Sequence, residues 1–171
     1  MPDGDAIAAP LALLLDRYPL VVATRDWHPP DHGSFGLWPV HCVQDTPGAE
    51  LHAALDRTKV DVVVDKGADP GRPGYSAFED TGLGELLRAR GVDRLVVAGL
   101  ATDYCVKQTV LDARAAGFDV VVVEDAIRGV DVEPGDSARA IEAMKAAGAG
   151  FATAAELGSG AEILRQPDRA T

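Results

Sequence analysis

Short, uninterrupted apolar runs alternate with segments of helical period along most of the chain. Leu20–Thr24, Val60–Lys66, Arg94–Gly99, Asp119–Glu124 and Gly150–Thr153 read as strands buried on both faces. Between them, helices are predicted at Ala6–Tyr18 (apolar at Ile7, Leu11, Leu14 and Leu15), Pro47–Leu55, Leu83–Arg90, Asp103–Ala116 and Pro134–Ala147. Gly91, Gly117 and Gly148 follow three of these helices and supply the left-handed residue that closes a helix. Apolar strands separated by helices predict an α/β fold, a three-layer, doubly wound parallel sheet. The chain enters this alternation with a helix, so the first strand of such a sheet is expected to be missing. One domain over residues 1–171 is expected, with the tail after about residue 165 frayed.

Composition narrows the function classes. A chain of 171 residues that is 47% apolar and 25% charged is a folded globular protein rather than a disordered one. Its net charge of −11 repels phosphate backbones and anionic lipid, so neither nucleic acid nor membrane is an expected partner. No apolar run approaches the ~18 residues of a membrane span. The first ten residues carry no basic leader. Cys42 and Cys105 form no CxxC pair, which fits a reducing, cytoplasmic setting.

Candidate chemistry falls directly after predicted strands, at the edge where open parallel sheets bind ligands. The loop from Arg25 to Thr46 carries Asp26, His28, His32 and His41. Asp26 and His28 share a face at i, i+2, and with a further histidine they offer a donor set suited to zinc, iron, manganese or cobalt. The alternative is polar loop residues around a turn at Pro29-Pro30-Asp31. Cys105 lies about three residues into a helix that Thr102 could cap, where amides and the helix dipole favour a thiolate; equally, it is a small buried residue. Lys66 ends a valine strand and gains a role only if it shares a pocket with Cys105, and Asp65 must face the other way. Trp38 and Tyr104 offer a flat wall for an aromatic ligand or, equally, anchor their loops. Cys42 reads as packing and His52 as a surface residue.

Several segments together carry a resemblance: VVATRDWHPPDHGSF, WPVHCVQDTPGAELH, VDKGADPGRPGYSAFED and VVAGLATDYCVKQTVLDARAAGFDVVVVEDAIRGVD. From about Asp3 to Glu156 the chain resembles the isochorismatase-like cysteine hydrolases, in their nicotinamidase branch, which have a Rossmann-like doubly wound fold. The resemblance implies Cys105 as nucleophile with Lys66 as its charged partner. It implies an oxyanion hole from the backbone N–H groups of Ala101 and Cys105, and a cis Leu100–Ala101 peptide. Trp38, Tyr104 and Leu100 would contact a pyridine-type substrate. One divalent metal, zinc before iron or manganese, would be held by Asp26, His28 and His41, with His32 as a fourth, more variable ligand. The implied reaction is hydrolysis of nicotinamide to nicotinate and ammonia through a thioester, for NAD salvage. The implied partner is a small amide; the resembled family often forms dimers or higher homo-oligomers, and the sequence leaves the oligomeric state open. The family's Asp-x-Gln-x-Asp-Phe motif, whose first aspartate activates the cysteine, has no match in this sequence, so impaired activity is expected. The other readings are a non-catalytic metal- or pyridine-binding protein and a hydrolase of another small amide such as pyrazinamide.

Overall fold

A computed structural model describes residues 3–159; the expected fraying after residue 165 lies outside them. Parallel strands β1 (Val22–Asp26) and β2 (Val62–Lys66) pair with each other. β3 (Arg94–Leu100), β4 (Asp119–Arg128) and β5 (Gly150–Ala152) form a second parallel sheet in that order. Helices α1 (Ala8–Ala12), α2 (Leu83–Ala89), α3 (Lys107–Ala115), α4 (Asp136–Ala146) and α5 (Ala154–Gly158) cover them.

Strand alternation sorts the apolar residues into two cores. Val120 and Val122 of β4 face one way, with Leu95 and Val97 of β3, and meet Leu83 and Leu87 of α2, Val110 of α3 and Met144 of α4. Val121 and Val123 face the other way, with Val96 and Ala98, and meet Leu11, Leu14, Ala154 and Leu157. The sheet is therefore covered on both sides, as uninterrupted valine runs require.

Handedness fixes how the two sheets are placed. The crossovers through α2, α3 and α4 all lie on one face, and right-handedness makes each of them step in the same direction, from β2 towards β5. The connection from β1 to β2 lies on the α1 face: Leu55 lines a cavity with Ile7 and Leu11, and Lys59 pairs with Asp16. A right-handed crossover on that face steps the opposite way. The spatial order is thus β2-β1-β3-β4-β5, with no pairing between β1 and β3. This reversal point is where an open α/β sheet binds ligands.

Several expected elements come out shorter or shifted. The first helix is regular only over α1, because the chain beyond Pro10 tightens into turns such as Leu14 N–H to Leu11 O at 2.9 Å. The predicted Pro47–Leu55 helix reduces to one 3₁₀ turn at Pro47–Ala49. Beyond it, Arg57 bonds Leu51 O at 2.6 Å and Glu50 Oε2 at 3.1 Å, holding that segment in an irregular path. β4 runs four residues past Glu124, the end expected for it. β1 is displaced two residues towards the carboxyl side, making Asp26 its last residue and register partner of Lys66. Helix α5 was not expected, although its Thr153–Glu156 capping box is a readable signal.

Core packing gives a direct expectation. Met144 is fully buried, and Met144→Ala should cost about 2–5 kcal/mol in urea unfolding. Val63 is half exposed, and Val63→Thr should stay within about 0.5 kcal/mol.

Candidate active site and metal centre

Lys66 organises the site. It is only 4% exposed, since the alternation of β2 turns it inward while Asp65 points out to Arg25 at 2.6 Å. A buried ammonium needs partners, and Lys66 Nζ has three. It donates to Asp26 Oδ1, to Gly74 O at 2.9 Å and to Cys105 Sγ at 3.4 Å. Burial alone would lower the Lys66 pKa, yet the Cys105 and Asp26 charges hold it above its ordinary value. Burial pushes the Cys105 thiol up, while Lys66 and a backbone hydrogen bond from Ala101 pull against that rise.

Cys105 does not lie in a regular α-helix. The Leu100–Ala101 peptide is cis, and Thr102–Val106 form a π-helical turn before α3 begins. Ala101, rather than Thr102, takes the cap position, and the N–H groups of Tyr104 and Val106 both donate to Ala101 O, at 3.1 and 3.0 Å. Such wide turns are common at functional sites. Buried Asp103 steadies this turn by accepting the Val130 and Asp131 N–H groups at 3.0 and 2.8 Å.

Asp26, His28 and His41 converge, with ligand atoms within 4.8 Å of one another. His28 N–H bonds Cys42 O at 2.9 Å and Gln44 N–H bonds His28 O at 2.8 Å, which draws the distant His41 alongside. Both histidines use Nδ1 on a backbone carbonyl, His28 on Gly67 O at 2.8 Å and His41 on Pro39 O at 2.7 Å. With Nδ1 as the donor, each ring presents its Nε2 lone pair. One carboxylate and two Nε2 atoms fit a divalent metal of borderline hardness. Burial lowers the His28 pKa, which keeps the ring neutral as a ligand must be.

His32 takes a different place. Its ring stacks 4.1 Å from that of His28, but Nε2 faces Asp69 O and Arg72 O at 3.0 and 2.9 Å, and Nδ1 faces Ser34 Oγ at 2.6 Å. Nε2 is engaged in holding the 67–74 loop and Nδ1 in the turn at Ser34, and His32 is not in the converging set. Gly67 and Gly74 make this loop feasible. A Cβ on Gly67 would lie 2.5 Å from the His28 ring, and one on Gly74 would lie 2.2 Å from Gly67 Cα.

The aromatic wall has a member that sequence reasoning missed. Trp38 and Tyr104 meet edge-on at 4.9 Å, and Tyr75 completes the group, 5.4 Å from Tyr104 and accepting the Trp38 Nε1–H at 3.1 Å. Its place at the end of the 67–74 loop that follows Lys66 was the available signal. Leu100 is partly exposed and also lines a cavity of about 430 Å³ with α1. Cys42 is half-buried with φ 47°, and burial raises its thiol pKa. His52 is exposed at the rim of the same cavity.

This geometry has close relatives. The isochorismatase domain family matches residues 1–156. The nicotinamidase of Escherichia coli (strain K12) is 41% identical, over 91% of this chain and 87% of that one. The pyrazinamidase of Pyrococcus horikoshii, solved in complex with zinc, superposes with a TM-score of 0.80 at 41% identity, covering 90% of this chain and 88% of its own. A protein named PnC1 from L. infantum, solved with nicotinate, gives 0.83 at 35% identity over 90% and 82%. On the shared domain and this extent of identity, the chain belongs to the isochorismatase domain family.

Proposed function

We propose that this chain is a metal-dependent amidase that hydrolyses nicotinamide, and the related pyrazinamide, to the carboxylate and ammonia in the cytosol. The observation that carries this reading is the Lys66 ammonium set between Asp26 and Cys105 Sγ, with Tyr104 of the aromatic group adjoining Cys105 in the chain. The names of the relatives support the substrate class.

In this reading the Cys105 thiolate attacks the carboxamide carbon. The backbone N–H groups of Ala101 and Cys105 face the developing oxyanion. The C–N bond breaks as the amide nitrogen takes up a proton from water, and nitrogen leaves as ammonia. Water then adds to the Cys105 thioester, the C–S bond breaks, and the carboxylate leaves. Lys66 holds positive charge beside Sγ throughout. Trp38, Tyr75 and Tyr104 pack around the ring and keep bulk water from it. A divalent metal, zinc foremost, would be held by Asp26, His28 and His41 and would supply a Lewis-acid anchor for the pyridine nitrogen.

The Sγ proton is the weak point. The ammonium at 3.4 Å cannot accept it, and the motif that supplies a carboxylate base in the resembled family is not matched here. Turnover by the 171-residue chain should therefore fall ~10²–10⁴-fold below that of a form carrying such an aspartate, read as ammonia release from nicotinamide. Equal rates would show that the proton has another acceptor. Because the thiol pKa is raised, the thiolate is scarce at neutral pH and grows as pH rises. Alkylation of Cys105 by iodoacetamide should accelerate about tenfold per pH unit from pH ~6 to ~8. A flat profile would mean the thiol is already ionised there. Cys105→Ala should remove both the alkylation and any ammonia release.

The metal reading has its own check. The isolated protein should bind one zinc per chain by metal analysis, and His41→Ala should lose most of it. Gly67→Ala should weaken binding by ~10–100-fold in chelator competition, because the new methyl displaces the His28 ring. Unchanged zinc content in both variants would place the metal elsewhere.

A further inference from the structure

Asp103 is only 3% exposed, and its partners are two main-chain amides. Oδ1 accepts Val130 N–H and Oδ2 accepts Asp131 N–H. Among the described residues no cation pairs with it. A carboxylate held out of water by two amides alone is a costly way to stabilise a loop. What it holds in place is therefore the question. The 129–131 segment is itself pinned. A Cβ on Gly129 would lie 1.8 Å from Ser137 Oγ and 3.2 Å from Asp103 Oδ1, so only bare main chain fits between them. Asp131, with φ 50°, accepts Ser137 N–H at 2.8 Å and Ser137 Oγ–H at 2.6 Å, at the start of α4. An unbroken set of hydrogen bonds thus runs from α4 through Asp131 to Asp103.

We infer that Asp103 is a positioning residue for amide hydrolysis: it clamps the Ala101–Cys105 turn to the 129–131 segment, and the start of α4 holds the clamp. The inference rests on the amidase reading above. Asp103 stands midway between Ala101 and Cys105, the two residues whose N–H groups would face the oxyanion. Sγ must also lie beside Lys66 Nζ, at 3.4 Å, and within reach of a hydrogen bond from Ala101. A main-chain shift at Asp103 moves the nucleophile and the oxyanion donors together. A misplacement of about 1 Å in such a constellation can cost about 10²-fold in rate. Asp103 acts through the turn and not on the substrate.

The test compares Asp103→Asn, Asp131→Asn and Leu87→Ala in the full chain. An amide has a single oxygen, so Asp103→Asn leaves one of the two main-chain N–H groups facing an NH2 group. In ammonia release from nicotinamide, kcat should fall about tenfold or more while KM stays within about threefold, the mark of an interaction realised in the transition state. Asp131→Asn keeps the left-handed backbone, which asparagine tolerates, and loosens only the outer bonds. Its kcat should fall about two- to fivefold, and it decides the matter if Asp103→Asn does not fold. Leu87→Ala, in the core under α2, should lower the urea midpoint yet leave kcat and KM within about twofold. Unchanged kcat in both aspartate variants, or an equal loss in Leu87→Ala, would overturn the proposal in favour of a purely structural Asp103.

A second readout needs no turnover. The pH midpoint of Cys105 alkylation by iodoacetamide should move by about half a pH unit or more in Asp103→Asn, because Sγ leaves its place beside Lys66. It should not move in Leu87→Ala. An unmoved midpoint in Asp103→Asn overturns the clamp whether or not ammonia is released. A moved midpoint in a chain that releases no ammonia upholds the clamp and places the failure on the amidase reading.

Discussion

One buried positive charge sets the terms for everything around it. An ammonium taken out of water is tolerable only when acceptors surround it, and removing one partner of such a pair typically costs 3–5 kcal/mol. Lys66 meets that demand with Asp26 from β1, Gly74 from its own loop, and Cys105 from the turn after β3. Three separate chain segments are thereby fastened at one atom. The same contact ties both sheets together at their carboxyl ends, where they share no ladder.

Asp26 belongs to two networks at once. It receives Lys66, and it stands with His28 and His41 as a ligand set. A carboxylate has two oxygens, so the two duties are compatible. They also couple the Asp26–His28–His41 cluster to the Lys66–Cys105 pair electrostatically, through a single side chain.

The layered α/β plan was legible because valine runs and glycine-closed helices are local signals. Asp26, His28, Lys66 and Cys105 could be placed at one edge for the same reason, since each follows a strand. What stayed hidden was set by tertiary contacts. Pro47–Leu55 reads as a helix, but Arg57, bonded to Glu50 and Leu51 O, holds its second half open. Thr102 has the side chain of a cap, yet the turn at Ala101 opens into a π-helical form and buries it. His32 has the chemistry of a ligand, but its Nδ1 is spent on Ser34 and its Nε2 on a loop forty residues away, which no spacing rule reveals. Tyr75 was passed over for the converse reason: only the fold brings it to Trp38.

The contact between Gly67 and Gly74 bears on how such a site can diversify. The loop joining Lys66 to the His28 ring is closed by main chain touching main chain, with no side chain between. Residue choice can therefore neither lengthen nor shorten that join by small steps. The aromatic wall is different, because Trp38, Tyr75 and Tyr104 meet only through their side chains. Drift towards new amides would be written in those three positions, while the span from the histidine cluster to the Lys66–Cys105 pair is held as a fixed length.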